Sequence, residues 1–260
     1  MRRLTLLFAF TLMVTFTADV AAHYTYILPQ SFRVASGDAV VVGFHSGDGF
    51  PESAAILTRL QEPTVHTSGG RVPIGGLTED GKRLTATVTV ADTGHVIVTA
   101  VNAAAVEDMR PAPFEKYLLE EGLSHIVETR RARGESERNG KERYTMYAKT
   151  ILVSDAPGEG YGTVIGLPLE FVPDKDPYTL RPGEALPVRL LLRGRPASNL
   201  EVRATSATQE THMVGRTDAE GRIVVPVSTG PWRLHTIHME RVSGDADWES
   251  LWTTLTFEVP

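Results

Sequence analysis

The chain of 260 residues contains no cysteine. That excludes disulfides, a cysteine-linked lipid anchor and any thiolate metal site, so a bound metal must rest on His, Met, carboxylate or backbone donors. Basic residues are the minority, 26 against 32 acidic, which argues against nucleic acid as a partner. Only one long apolar run is found, Leu4 to Phe16. It falls short of the about 20 residues that a membrane span needs. Nucleophile elbow, phosphate loop, dinucleotide fingerprint and zinc-protease helix are all missing, and the chain reads as a binding protein, not an enzyme.

What is present begins with a leader. Arg2 and Arg3 give a positive start, Leu4 to Phe16 an apolar stretch, and Val20-Ala21-Ala22 a small-residue cleavage site, so residues 1–22 read as a secretory signal. The mature product is expected to be periplasmic or secreted and not membrane-spanning. Cleavage removes Arg2, Arg3 and Asp19 and moves the net charge from −6 to −7. It also makes His23 the first residue. An N-terminal His offers a metal its free α-amine and its ring Nδ1, a chelate that suits nitrogen-seeking Cu(II) or Ni(II). The plainer reading is that some residue must follow the cut, and here it is His.

The rest of the chain alternates at period two between turn signals, the mark of antiparallel β structure. Val40, Val42 and Phe44 form one such strand. Leu84 to Val90 and Val96 to Ala100, joined by Ala91-Asp92-Thr93-Gly94, read as a hairpin. Phe114, Tyr117 and Leu118 have helical spacing after Pro113, and Gly122 ends that helix. A second helix is expected over 123–133, with Arg130, Arg131 and Arg133 at its C-terminal end. The charged stretch from Arg133 to Arg143 reads as a mobile loop, and Gly158 to Gly162 as a loop between strands. Pro and Asp crowd the segment 168–187. The expectation is therefore an all-β chain of two immunoglobulin-like β-sandwich domains. They span residues 23–167, with a helical insertion around 113–133, and residues 168–260.

The histidines rank by context. His45 ends a strand and opens Ser46-Gly47-Asp48-Gly49-Phe50-Pro51, a place where functional side chains often sit. In Trp232-Arg-Leu-His-Thr-Ile-His-Met239, alternation puts Trp232, Leu234 and His238 on one face and Arg233 and His235 on the other. Trp232 and Leu234 look core-facing, so His238 should point inward and need a partner, either a metal or a carboxylate. His235 beside Arg233 looks solvent-facing. His66, His95, His125 and His212 read as structural or surface residues. Asp48, Asp247 and Glu249 are placed to orient ring nitrogens from outside a metal; a solvated acidic turn is the plainer reading of Asp245, Asp247 and Glu249. Trp232, Trp248 and Trp252 suit core packing more than a sugar platform.

Several segments together carry a resemblance. They are Ala22-His23, His45-Ser-Gly-Asp-Gly-Phe-Pro51, Tyr144-Thr-Met-Tyr-Ala-Lys149, Gly166-Leu-Pro-Leu-Glu170 with Asp176-Pro-Tyr178, Gly215-Arg-Thr-Asp-Ala-Glu-Gly221, and His238-Met239 followed by Ala246-Asp-Trp-Glu-Ser250 and Trp252. In order and spacing the chain resembles the bacterial domain-of-unknown-function family 4198 over nearly all its mature length. The resemblance implies an exported β-rich protein, with members described as periplasmic components of nickel or cobalt uptake, and hence a membrane metal transporter as partner. It touches His23, His45 and His238. The resulting expectation is a divalent-metal site on those three residues holding nickel or cobalt, with copper the alternative. The rival expectation is an extracytoplasmic binding or scaffold module for carbohydrate or protein, with no metal role.

Overall fold

The computed structural model describes residues 23–90, 93–181 and 183–260. The leader read at 1–22 lies outside the described residues. The strands are β1 (Thr25–Pro29), β2 (Arg33–Val34), β3 (Ala39–Ser46), β4 (Leu60–Thr67), β5 (Gly70–Pro73), β6 (Thr78–Asp80), β7 (Arg83–Thr89) and β8 (Gly94–Met109). Helices α1 (Pro111–Glu120) and α2 (Ser124–Ala132) follow. Then come β9 (Gly140–Ser154), β10 (Leu169–Pro173), β11 (Ala185–Leu192), β12 (Arg195–Pro196), β13 (Glu201–Ser206), β14 (Gln209–Arg216), β15 (Arg222–Pro226), β16 (Gly230–Arg241) and β17 (Trp248–Val259).

Three sheets result. A central sheet runs β14-β13-β16-β17-β9-β8-β4-β5, with β2 beside the end of β9. A four-stranded sheet, β1-β3-β7-β6, and a second one, β10-β11-β12 with β15 on β11, complete the set. Alternation along β8 and β9 decides how they stack. Val96, Val98, Ala100, Ala148 and Leu152 pack with Val40, Val42, Phe44, Ala86 and Val88 of the first small sheet. Their neighbours Ile97, Tyr147, Ile151 and Val153 pack with Leu169, Phe171, Leu186, Val188 and Leu190 of the second. The small sheets therefore cover opposite faces of the central one, giving two β-sandwiches that share a sheet. The C-terminal strand β17 runs parallel to β9 from Trp248 opposite Glu142 to Thr256 opposite Thr150, so strands of both halves of the chain build the shared layer.

The hairpin expected over 84–100 is not formed. Strand β7 pairs with β3 and β6, whereas β8 pairs with β4 and β9. Ala86 and Val88 of β7 meet Val96, Val98 and Ala100 of β8 across the sandwich, so along these residues the alternation is the same as that of a paired hairpin. The first helix ends where expected: Gly122 takes φ +72, and Leu123 N–H donates to Leu118 O at 2.7 Å. Phe114, Leu118, Leu123, Ile126 and Val127 of the helical segment cover Met146, Ile237, Met239, Trp248 and Trp252. All three tryptophans are buried, at 0%, 1% and 2% exposure for Trp232, Trp248 and Trp252, which removes them as a sugar platform.

The stretch read as a mobile loop is tied down. Arg130 donates to Glu135 O at 2.9 Å and to Arg138 O at 2.5 Å. Glu135 in turn takes Arg133 at 3.1 Å and Arg241 at 2.6 Å. A charged run looks solvated until its partners, here on α2 and β16, are known. Under α1, Glu142 accepts from Tyr117 Oη at 3.0 Å and, through a short bond, from Ser250 Oγ. Burial pushes its carboxyl up to about 7.

Candidate functional site

The site is built from the start of β1 and the loop after β3. Tyr26 lies opposite His45 and Thr25 opposite Ser46. The pairing extends one step further, with Gly47 N–H donating to Tyr24 O at 3.0 Å. His23 and Asp48 come opposite next, and their side chains meet, Nδ1 to Oδ2 at 3.0 Å. Both are partly open to solvent, at 34% and 52% side-chain exposure, so an incoming ion can reach them.

A buried arginine holds the loop. Arg233 reaches from β16 and is fully buried. Its Nη1 donates to Gly47 O at 3.1 Å and Gly49 O at 3.2 Å, and its Nη2 donates to Asp48 O at 2.7 Å. The guanidinium carbon sits 5.2, 5.0 and 5.7 Å from the rings of Tyr24, Tyr26 and Phe50. Carbonyl dipoles and ring faces thus stabilise a buried cation and fix Asp48 opposite His23.

His45 is stacked on Tyr26, centroids 4.9 Å apart and planes 14° apart, with Nδ1 2.7 Å from Ser53 Oγ. Its ring lies back over Gly43, where a Cβ would come 2.5 Å from Nε2, so any side chain there would displace the histidine. Burial, with Arg83 adding repulsion, pulls His45 down to about 4.

A pH prediction follows from His45 and Glu142. The unfolded chain takes up protons at His45 first as pH falls below about 6.5. The stability linked to His45 is therefore present above that pH and is lost as pH falls through 4. Glu142 has the opposite sign: its contribution is present below about 4.5 and lost as pH rises through 7. The two slopes oppose each other in the native chain. Glu142→Gln should remove one of them and raise stability at pH 8 by up to about 3 kcal/mol, with the gain fading toward pH 4.5. Urea unfolding at both pH values checks this, and a gain that does not change with pH would contradict it.

His235 is 1% exposed, not solvent-facing as its neighbour Arg233 suggested. Arg233 is itself buried, so sharing its face means facing the core. The ring packs against Tyr24 at 4.1 Å. Burial, then the charges of Arg233 and Arg203, pushes it well below the usual histidine range. Beside it, Tyr24 Oη donates a short bond to the Glu121 carboxylate.

His238 sits elsewhere. It pairs with Leu251, whereas His235 pairs with Thr254. Thr254 Oγ1 donates to Thr25 O on the side of the first small sheet, while Leu251 packs in the core against the second. His238 is thus on the opposite face of the central sheet from His23 and His45, with Glu240 at 3.5 Å from its Nε2. The structure groups His23, Asp48 and His45 around one loop and leaves His238 out. Asp247 and Glu249 are occupied with arginines, Asp247 near Arg241 at 3.8 Å and Glu249 near Arg143 at 3.5 Å and Arg193 at 3.6 Å. Among the described residues no three His, Asp or Glu side chains gather as a metal cage.

Next to Asp48 lies an open groove of about 470 Å³. Asp48, Gly49 and Phe50 line one wall, and residues 205–211, with four hydroxyls, the Gln209 amide and the Glu210 carboxylate, line the other.

The remaining motif residues hold the fold. His95 bridges Asp176 Oδ1 at 3.0 Å and Glu159 O at 3.3 Å. Asp176 also accepts from Tyr178 N–H at 2.9 Å. Lys149 meets Glu170 at 2.7 Å, both side chains 1% exposed. His66 Nε2 lies 2.8 Å from Thr99 Oγ1. In the turn before β15, Asp218 Oδ1 accepts from Glu220 and Arg222 N–H.

Among solved structures, the chain is similar to the D0-D1 domain of Intimin at 15% identity, covering 90% of this chain and 97% of that one, with a TM-score of 0.21. It is similar to the three N-terminal domains of the bacteriophage RB49 outer capsid protein Hoc at 10% identity, covering 90% and 59%, TM-score 0.21. For the Yersinia pseudotuberculosis adhesin InvE the identity is 14%, the coverage 90% and 58%, and the TM-score 0.21. Superpositions this loose carry no argument about function. Comparison with curated proteins gives no match. A family model described as "Domain of unknown function (DUF4198)" matches residues 20–240, and the chain belongs to that family.

Proposed function

We propose that the protein is an exported β-sandwich binding module that takes a late divalent metal at its mature N-terminus. Among the described residues no helix is long and apolar enough to cross a membrane, and residues 1–22 read as a removable leader. The observation that carries the reading is His23 Nδ1 set 3.0 Å from Asp48 Oδ2, on a loop fixed by a buried arginine. Two donors on one small ion, with bonds of about 2.0–2.2 Å at right angles, stand about 3 Å apart. The α-amine of His23 would add the second nitrogen. Such a set binds and releases metal without chemistry on it. Nickel or cobalt is what the resemblance read from the sequence implies, and copper accords with the order of divalent affinities. A membrane transporter would be the recipient.

The groove beside Asp48 favours a second reading, a module for a hydroxyl-rich or peptide ligand without metal. Titration separates the two. Mature protein beginning at His23 should bind Cu(II) or Ni(II), and Asp48→Asn should bind about tenfold more weakly or worse, since even outer partners of a metal cost 10–100-fold. Equal binding by the variant would remove Asp48 from the site. No binding by the native protein would leave the groove reading.

A further inference from the structure

Both walls of the groove beside Asp48 are held in place by the fold. On one side Arg233 bonds the carbonyls of Gly47, Asp48 and Gly49 and fixes the loop after β3. On the other, the turn between β13 and β14 is tied by its own hydroxyls. Thr205 Oγ1 lies 2.7 Å from Thr211 Oγ1, and Ser206 Oγ lies 3.3 Å from Thr208 Oγ1. Thr205 and Ser206 are themselves buried, at 4% and 5% exposure, although both line the groove. Its volume of about 470 Å³ is that of a small-ligand site, and a single ion would not fill it.

The lining carries charge of one sign. Asp48 stands on one wall and Glu210 on the other, and no Lys, Arg or His lines the groove. Among the described residues the Glu210 carboxylate has no hydrogen bond or ion pair, and Asp48 bonds His23 through Oδ2 alone. The Arg233 guanidinium lies behind the loop, fully buried and turned to its carbonyls, and is not part of the lining. An anion would be repelled here, and a neutral ligand would leave both carboxylates without a counterpart. The rest of the lining is of two kinds. Phe50, Ala207 and the threonine methyls offer apolar surface, while the hydroxyls and the Gln209 amide offer acceptor oxygens.

We propose that the groove takes an aliphatic diamine, one ammonium group meeting Asp48 and the other Glu210, with the carbon chain against Phe50 and Ala207. This rests on the reading of the groove as a ligand site and names its ligand class; it needs no metal at His23. An ammonium has three N–H donors, so each end can bond a carboxylate and still donate to neighbouring hydroxyl oxygens. The aromatic ring of Phe50 adds attraction for a cation beside it. Two carboxylates on facing walls, with apolar surface in the same lining, match a ligand charged at both ends and apolar in the middle.

The test uses the metal-free mature protein beginning at His23. Putrescine is the probe, and butylamine, the same carbon chain with one ammonium, is its control. Titration followed by backbone amide NMR reads affinity and place together. The amides of 48–50 and 205–211 should shift, and putrescine should bind about fivefold more tightly than butylamine, the upper end for an exposed charge pair. Added salt should weaken both. Glu210→Gln changes an exposed side chain and should keep the folded spectrum while removing the preference for the diamine. Equal binding of the two amines by the native protein overturns the inference. So does a preference that survives Glu210→Gln, or shifts scattered over other acidic surface. If neither amine binds but the uncharged sugar maltotriose shifts the same amides, the diamine inference fails and the groove reading stands. If none of the three binds, both fail.

Discussion

Replacing Lys149 by Met should cost about 3–5 kcal/mol of folding stability, the amount typical of a buried ion pair left with one member. Lys149 projects from β9 toward the second small sheet, and its Nζ donates to Glu170 at 2.7 Å, Thr163 O at 3.0 Å and Phe171 O at 3.2 Å. Glu170 also accepts from the N–H groups of Ile165, Gly166 and Leu167, at 2.9, 2.9 and 3.2 Å. The pair thus anchors the segment by which the chain passes from one sandwich to the other. Met fills the volume of the Lys stem but leaves a carboxylate in the core with no countercharge. Domains of ordinary stability hold about 5–15 kcal/mol, so the loss is a large share of the total. A second variant marks the cause. Adding Glu170→Gln should restore part of the stability, because an amide keeps an acceptor oxygen for the backbone without the charge. A loss below about 1 kcal/mol would mean that water reaches the pair.

This pair also shows what a sequence motif can and cannot disclose. Tyr144 to Lys149 and Gly166 to Glu170 stood out as segments, but 21 residues separate Lys149 from Glu170, and no local pattern announces an ion pair across two layers. The same limit explains the histidines. Period-two alternation placed His235 and His238 on opposite faces, and the structure keeps that. Which face is buried was inferred from Trp232 and Leu234, on the assumption that the other face is wet. In a sheet covered on both sides the assumption fails, so Arg233 and His235 are buried as deeply as Trp232. Elements with local signals, such as α1, read from Pro113 and found to start at Pro111, with Gly122 closing it, were legible. Partnerships set by layer stacking, such as β7 with β3 and β17 with β9, were not. That His23, Asp48 and His45 come to one loop has a local signal in the glycine turn after β3. Arg233, which clamps the loop, carried no signal beyond its place on a strand.

The central claim is that the free amine of His23 is a metal ligand. Adding a single Gly before His23 turns that amine into an amide, a poor donor until it is deprotonated, and leaves every side chain in place. Calorimetric titration of Cu(II) or Ni(II) at pH about 6.5, near the histidine range, compares the native mature protein with the Gly-extended form. The account predicts that the extension weakens binding by about 10–100-fold or more, the lower bound being what loss of a mere outer partner costs. Equal affinity for the two proteins would show that His23 is an ordinary first residue and would contradict the account.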